Sequence, residues 1–127
     1  SESSRSQDIK YFHFADKING FSNLQPNWDS YNADSISKDA IIKALDALNY
    51  LNNKGFLSGG ITINVFPMRD GGIQFEFDGE VFCGELEINH NGELTFILFD
   101  DDGSIIEQQQ LFELPELSTI LEEAEYA

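Results

Sequence analysis

Carboxylates at every second position are the residues of this chain best placed to do chemistry: Glu76 and Asp78 on one alternating segment, Glu85 and Glu87 on the next, and Glu93 ahead of a third. Paired carboxylates hydrolyse glycosides when a cleft holds an acid and a base on either side of the bond. A short chain with one predicted sheet and no second lobe offers no such cleft, and that chemistry is not expected. Phe99-Asp100-Asp101-Asp102-Gly103 adds three more carboxylates before a glycine, a composition that suggests a calcium loop. An EF-hand, however, needs an oxygen ligand five residues before its glycine, and Leu98 occupies that place. The segment therefore reads as a hairpin turn, and neither a metal nor another cofactor is expected.

The remaining reactive side chains are scattered. His13 and His90 fall in different elements with no Cys or carboxylate at ligand spacing. Cys83 has no basic neighbour to stabilise a thiolate, and Glu85 opposes one, so nucleophilic catalysis is not expected. No serine stands in a nucleophile elbow, and no phosphate-binding glycine loop is present. With catalysis set aside, the acid matters as charge. Residues 1–60 carry six basic and seven acidic side chains, whereas residues 61–127 carry sixteen Asp and Glu against Arg69 alone, so most of the net charge of −16 lies in the second half. Such a field repels nucleic acid and anionic membrane and suits a basic protein surface. The chain is nevertheless 41% hydrophobic with eleven Phe, too apolar for a disordered acidic tail. A single cysteine, no apolar run of membrane-spanning length, no signal-peptide pattern and no N-glycosylation sequon together read as cytoplasmic.

Two rhythms position these residues. Residues 1–7 are polar and read as a disordered lead-in, leaving 8–127 as a single domain. From Asp8, a possible cap, the spacing of Ile9, Tyr11, Phe12, Phe14, Ala15 and Ile18 predicts a helix that Gly20 ends. Residues 21–36 form a polar connection, after which Ser35 or Ser37 caps a second helix carrying Ile41, Ala44, Leu45, Leu48 and Leu51, closed by Gly55. After Gly59-Gly60 the period falls to two. Asp70-Gly71, Asp78-Gly79, Asn91-Gly92 and Asp102-Gly103 punctuate five strands, near 60–67, 72–78, 80–89, 93–100 and 104–112. Leu114–Tyr126 predicts a final helix with Pro115 in its first turn. The expectation is a two-layer α+β domain, ααβββββα, with a five-stranded antiparallel meander. If Phe75, Phe77, Phe82, Leu86, Ile88, Leu94, Phe96 and Leu98 face the helices, parity sends Glu76, Asp78, Glu85, Glu87 and Glu93 to the other side, with Val81, Cys83, Ile97 and Phe99 among them.

Trp28-Asp29-Ser30-Tyr31-Asn32-Ala33, followed by a capped helix and then Pro67-Met68-Arg69-Asp70-Gly71-Gly72-Ile73-Gln74-Phe75-Glu76, resembles a family of small bacterial and phage-associated proteins of uncharacterised function. That family shows a W-D-G/S-Y-x-A loop and a P-x-x-D-G-G-I-x-x-E-type hairpin, and the resemblance covers roughly residues 25–95. Ser30 stands where glycine is common, and Asp34 to Ile36 where a proline often precedes the helix. The resemblance implies a fold and no catalytic residues. Physically, Trp28 and Tyr31 are expected to pin the loop onto the core, with Asp29 satisfying nearby amides as an Asx turn.

These readings converge on a non-enzymatic acidic domain that binds a basic protein surface. The concrete form is an inhibitor, an immunity protein, antitoxin or phage anti-defence factor, occluding the nucleic-acid-binding surface of a nuclease or toxin. Glu76, Asp78, Glu85, Glu87, Glu93 and Asp100 to Asp102 would supply charge, with Ile97 and Phe99 supplying apolar contact. The alternative is a homodimeric structural or assembly protein whose acidity serves solubility.

Overall fold

The change of hydrophobic period at Gly59-Gly60 divides the chain into helices and a sheet. The computed structural model describes residues 2–125, with side chains from Asp8 onward; α1 spans Glu2–Gly20, α2 Lys38–Asn53 and α3 Leu114–Glu125. Between the second and third helices run β1 (Thr62–Pro67), β2 (Ile73–Asp78), β3 (Cys83–Ile88), β4 (Leu94–Phe99) and β5 (Ile105–Leu111). They pair in sequence order, every neighbour antiparallel, which gives ααβββββα. α1 begins at Glu2, ahead of the Asp8 cap suggested by the sequence. The disordered lead-in expected at 1–7 falls outside the residues whose side chains are described.

Local chemistry explains the boundaries. Ser37 caps α2, its Oγ accepting the Ala40 amide at 3.0 Å while donating to the His90 carbonyl at 2.6 Å, so the cap also ties the helix to the β3–β4 turn. Gly55, at φ 82°, turns the chain out of α2 as only glycine does readily. At α3, Glu116 Oε1 accepts the amides of Phe112 and Glu113, both at 3.1 Å, the reach-back half of a capping box. Of the four Asx-Gly pairs, Gly71, Gly92 and Gly103 have positive φ as hairpin turns require. Gly79 does not. A Cβ there would lie 2.6 Å from the Phe82 ring, so its glycine is a matter of space, and β3 begins at Cys83 rather than near residue 80.

The helices cover one face of the sheet. Ile63, Val65, Ile73, Phe75, Phe77, Leu86, Ile88, Leu94 and Phe96 are buried from below, and Ala40, Ala44, Ala47, Leu48 and Leu51 are buried along α2. Small alanines let α2 lie close to the strands. Gly84 takes an inward position where a Cβ would be 2.6 Å from Phe96 Cζ, which leaves the slot this ring fills. Phe77 stacks against Phe75 and tilts onto Phe96, with centroids 6.4 and 6.1 Å apart. Each buried phenyl contributes about 2–3 kcal/mol by leaving water.

Candidate functional site

Strand parity carries the acid to the face the helices leave open. Asn64, Glu76, Glu85, Ile97 and Gln108 are successive cross-strand partners from β1 to β5, so Glu76 and Glu85 stand directly opposite each other. Glu87 lies two residues along β3, opposite Gln74 and Thr95. Asp78 pairs with Cys83, which pairs in turn with Phe99. Like charges placed opposite on neighbouring strands destabilise a sheet. Glu85 records this: partial burial first, then the charges of Glu76 and Glu87, push its carboxyl above the ordinary range. Glu76 accepts a hydrogen bond from Gln74 Nε2 at 3.2 Å, and among the described residues the one ion pair joins Arg69 to Asp29, away from this face.

Other residues expected at this surface are distributed differently. Ile97 does face away from the helices, but it is only 7% exposed, with Glu85 and Gln108 as its partners in register. It is therefore not an exposed apolar contact. Glu93 belongs to the β3–β4 turn, where its amide donates to Asn89 Oδ1 at 2.9 Å and its Oε1 accepts from Asn89 Nδ2 at 3.2 Å. Asp100 likewise builds a turn, its Oδ1 accepting the amides of Asp102 and Ser104 at 2.9 Å. Asp101 and Asp102 are exposed on that turn. Phe99 is half-buried, and with Val81, Ile106, Asp100 and Asp101 it lines a groove of about 320 Å³ at the sheet end near α3. Val81 is 60% exposed there, and Phe66, 40% exposed, stands at the end of the row through Gln74 and Glu87, so accessible apolar surface lies beside the carboxylates and at the margin of one of their rows.

Cys83 is exposed, and a hydrogen bond to Asp78, some burial and the charges of Asp78 and Asp101 push its thiol up. The direction matches the sequence reading, but the agent is the cross-strand Asp78 and not Glu85. Among the described residues no group of three His, Cys, Asp or Glu is placed to hold a metal ion, and no helix is long and apolar enough to cross a membrane.

The loop before α2 and the β1–β2 turn form one joint. Asp29 Oδ1 accepts the amides of Tyr31 at 2.8 Å and Ala33 at 3.1 Å, and its Oδ2 meets Arg69 Nε at 2.8 Å. Burial alone would raise the Asp29 pKa, but those two amides and the Arg69 guanidinium outweigh it and hold the carboxyl below its ordinary range. The Asp34 amide donates to the Arg69 carbonyl at 2.8 Å, the Ser37 amide to the Gly71 carbonyl at 2.9 Å, and Arg69 also donates to the Tyr31 carbonyl. Trp28 packs half-buried against the core, its Nε1 donating to the Asp34 carbonyl at 2.8 Å. Tyr31 does not pin the loop. Its side chain is 71% exposed, because Asn27, Ser30 and Asn32 all take left-handed φ near 67° and wind the backbone so that Tyr31 points outward. The sequence reading missed Arg69 as a structural residue, although its isolation as the last cation beside an acidic motif was a signal.

In comparisons with known proteins, no family model, curated protein or solved structure matched the chain.

Proposed function

We propose that this chain is a non-enzymatic acidic binding module, an inhibitor of the immunity-protein, antitoxin or phage anti-defence kind, that covers a basic nucleic-acid-binding surface on a partner such as a nuclease or toxin. One observation carries the reading: Glu76 and Glu85 oppose each other, with Glu87 alongside, on a sheet face that no helix covers. The repulsion is not relieved by an ion pair among the described residues. A cationic partner would reverse its sign, since carboxylates spaced along strands stand where phosphates would otherwise lie. Val81 and Phe99, beside the rows, would add apolar contact.

The rival reading, a homodimer through the same face, is disfavoured by the same arrangement. Two copies facing each other would set carboxylate against carboxylate, and with Ile97 buried the exposed apolar area of that face is reduced to its margin, where Phe66 stands. The test is capture from host lysate at low and moderate salt, followed by association kinetics with the captured protein. Replacing Glu76, Glu85 and Glu87 by Gln should slow association and flatten its salt dependence, while the same change at Glu122, Glu123 and Glu125 should do much less. Equal effects of the two triples would reduce the acid to a solubility device, and a closed dimer by light scattering would favour the rival.

A further inference from the structure

We propose that the groove between α1 and the free edge of β1 receives an extended acidic peptide segment, which pairs with β1 as a sixth strand. β1 ends the sheet, and its register is only with β2. A terminal strand presents unpaired amides and carbonyls along its outer side, a template for another extended chain. Thr62–Pro67 contains no charged residue to discourage such pairing.

α1 runs beside this edge. Near Ile61–Ile63 the space between helix and strand is a groove of about 340 Å³, floored by Phe14, Leu57 and Ile61 and rimmed by Ile9, Lys10 and His13. Further along, Lys17 Nζ lies 4.7 Å from the centroid of Phe66 at the other end of β1. Lys10, His13, Phe14 and Lys17 follow helical spacing, so one face of α1 parallels the strand. Ile9 is 69% exposed, an apolar side chain at the rim with nothing yet upon it. An incoming strand would place alternate side chains over the apolar floor and the others toward solvent.

Charge selects the occupant. The groove is lined without a carboxylate, whereas other grooves on the molecule carry Glu107, Glu116 and Glu123, or Glu122 and Glu125, or Glu80 and Glu125, or Asp100 and Asp101. Lys10 donates to the Leu57 carbonyl at 3.2 Å, which holds its ammonium at the groove. The field of the whole molecule favours cations, but charges farther than about 8–10 Å are screened at physiological salt, which leaves Lys10 and Lys17 at the groove itself to act against the neighbouring Asp8 and Asp16 of α1 and against Glu125 beside Gly60. β5, the opposite edge, carries Glu107 and lies beside the acidic α3, so it lacks this preference.

The inference is independent of the acidic face and is tested separately. The probes are a capped peptide of alternating Val and Glu, its Val and Lys counterpart, and the acidic peptide N-methylated at alternate amides. In ¹⁵N-labelled protein the acidic peptide should shift the amides of Thr62–Phe66 and of α1 from Ile9 to Lys17, and bind more tightly than the lysine peptide. N-methylation should abolish binding, and Lys10→Gln with Lys17→Gln should weaken it by about tenfold. Ile9→Glu, a change at an exposed position that should leave the melting temperature unaltered, should abolish it as well. No binding of the acidic peptide, equal or tighter binding of the lysine peptide, equal binding after N-methylation, or shifts confined to other strands would each overturn the proposal. Open-ended self-association in sedimentation, lost with Ile9→Glu, would assign the groove to a second copy of this chain and overturn it too.

Discussion

Asp29 and Arg69 decide the shape of the one long loop, and their chemistry is measurable. The Asp29 pKa is depressed in the fold, so its contribution to stability is present above the ordinary carboxylate range and is lost as pH falls through its folded-state pKa. Asp29→Asn should therefore lower the melting temperature at neutral pH, with the gap closing in acid. A constant gap across that range would show that the charge is not what matters. Ser30 sits at φ 67°, a conformation that costs a non-glycine residue about 1 kcal/mol. Ser30→Gly should stabilise by about 0.5 kcal/mol after the added freedom of the unfolded chain is subtracted, read as a small rise in denaturant midpoint at unchanged slope. Trp28 and Tyr31, alike by sequence, should separate. Trp28→Ala loses core packing and a hydrogen bond and should cost about 3 kcal/mol, whereas Tyr31→Ala should fall within about 0.5 kcal/mol of the parent.

At the scale of elements, the strands were legible because alternation and Asx-Gly turns are local signals, and the meander followed because each turn joins neighbours. The face of Glu76, Glu85 and Glu87 was legible for the same reason, since parity is fixed by the pleat. Coverage was not. Whether Ile97 is bare or covered depends on its surroundings in the folded sheet, and Tyr31 depends on three left-handed backbone positions, Asn27, Ser30 and Asn32, that no single residue announces. The start of α1 was misplaced because Asp8 resembles a cap and Glu2 to Gln7 are polar on every side. The Asp29–Arg69 joint spans forty positions of sequence, which local patterning does not see. Gly72 tests how tightly the elements fit: a Cβ there would lie 2.2 Å from the Ile88 carbonyl oxygen, a rigid backbone atom. Gly72→Ala should cost about 3 kcal/mol or more by thermal melting, and a neutral result would mean that the β1–β2 turn yields.

Across the whole molecule, the cations avoid the sheet while the acid is everywhere. Lys10, Lys17, Lys38 and Lys43 lie on α1 and α2 among Asp8, Asp16, Asp39 and Asp46, α3 carries Glu116, Glu122, Glu123 and Glu125, and the strands contain no Lys or Arg and carry Glu76, Asp78, Glu85, Glu87 and Glu107. A fold with a net charge of −16 is held together against its own field, most of all where carboxylates approach across strands without a cation between them. Glu85 gives the sign. Its pKa is raised in the fold, by burial first and then by Glu76 and Glu87, so its contribution favours folding at low pH and is lost as pH rises through the folded-state value. Near neutrality the three carboxylates are a burden, and salt should ease it. Raising ionic strength from about 0.01 to about 0.15 M shortens the screening length from roughly 30 to roughly 8 Å, and the melting temperature of the parent should rise. Replacing Glu76, Glu85 and Glu87 by Gln should raise the melting temperature at low salt and reduce its further rise with salt, and the advantage should shrink as pH falls into the carboxylate range. The same change at Glu122, Glu123 and Glu125, all exposed on α3, should have a smaller effect because water already screens those charges. If both triples stabilise equally, the penalty belongs to net charge in general and not to the opposed pair. A stabilised sheet-face triple that also binds its partner slowly would tie the strain in the free protein to the function proposed for it.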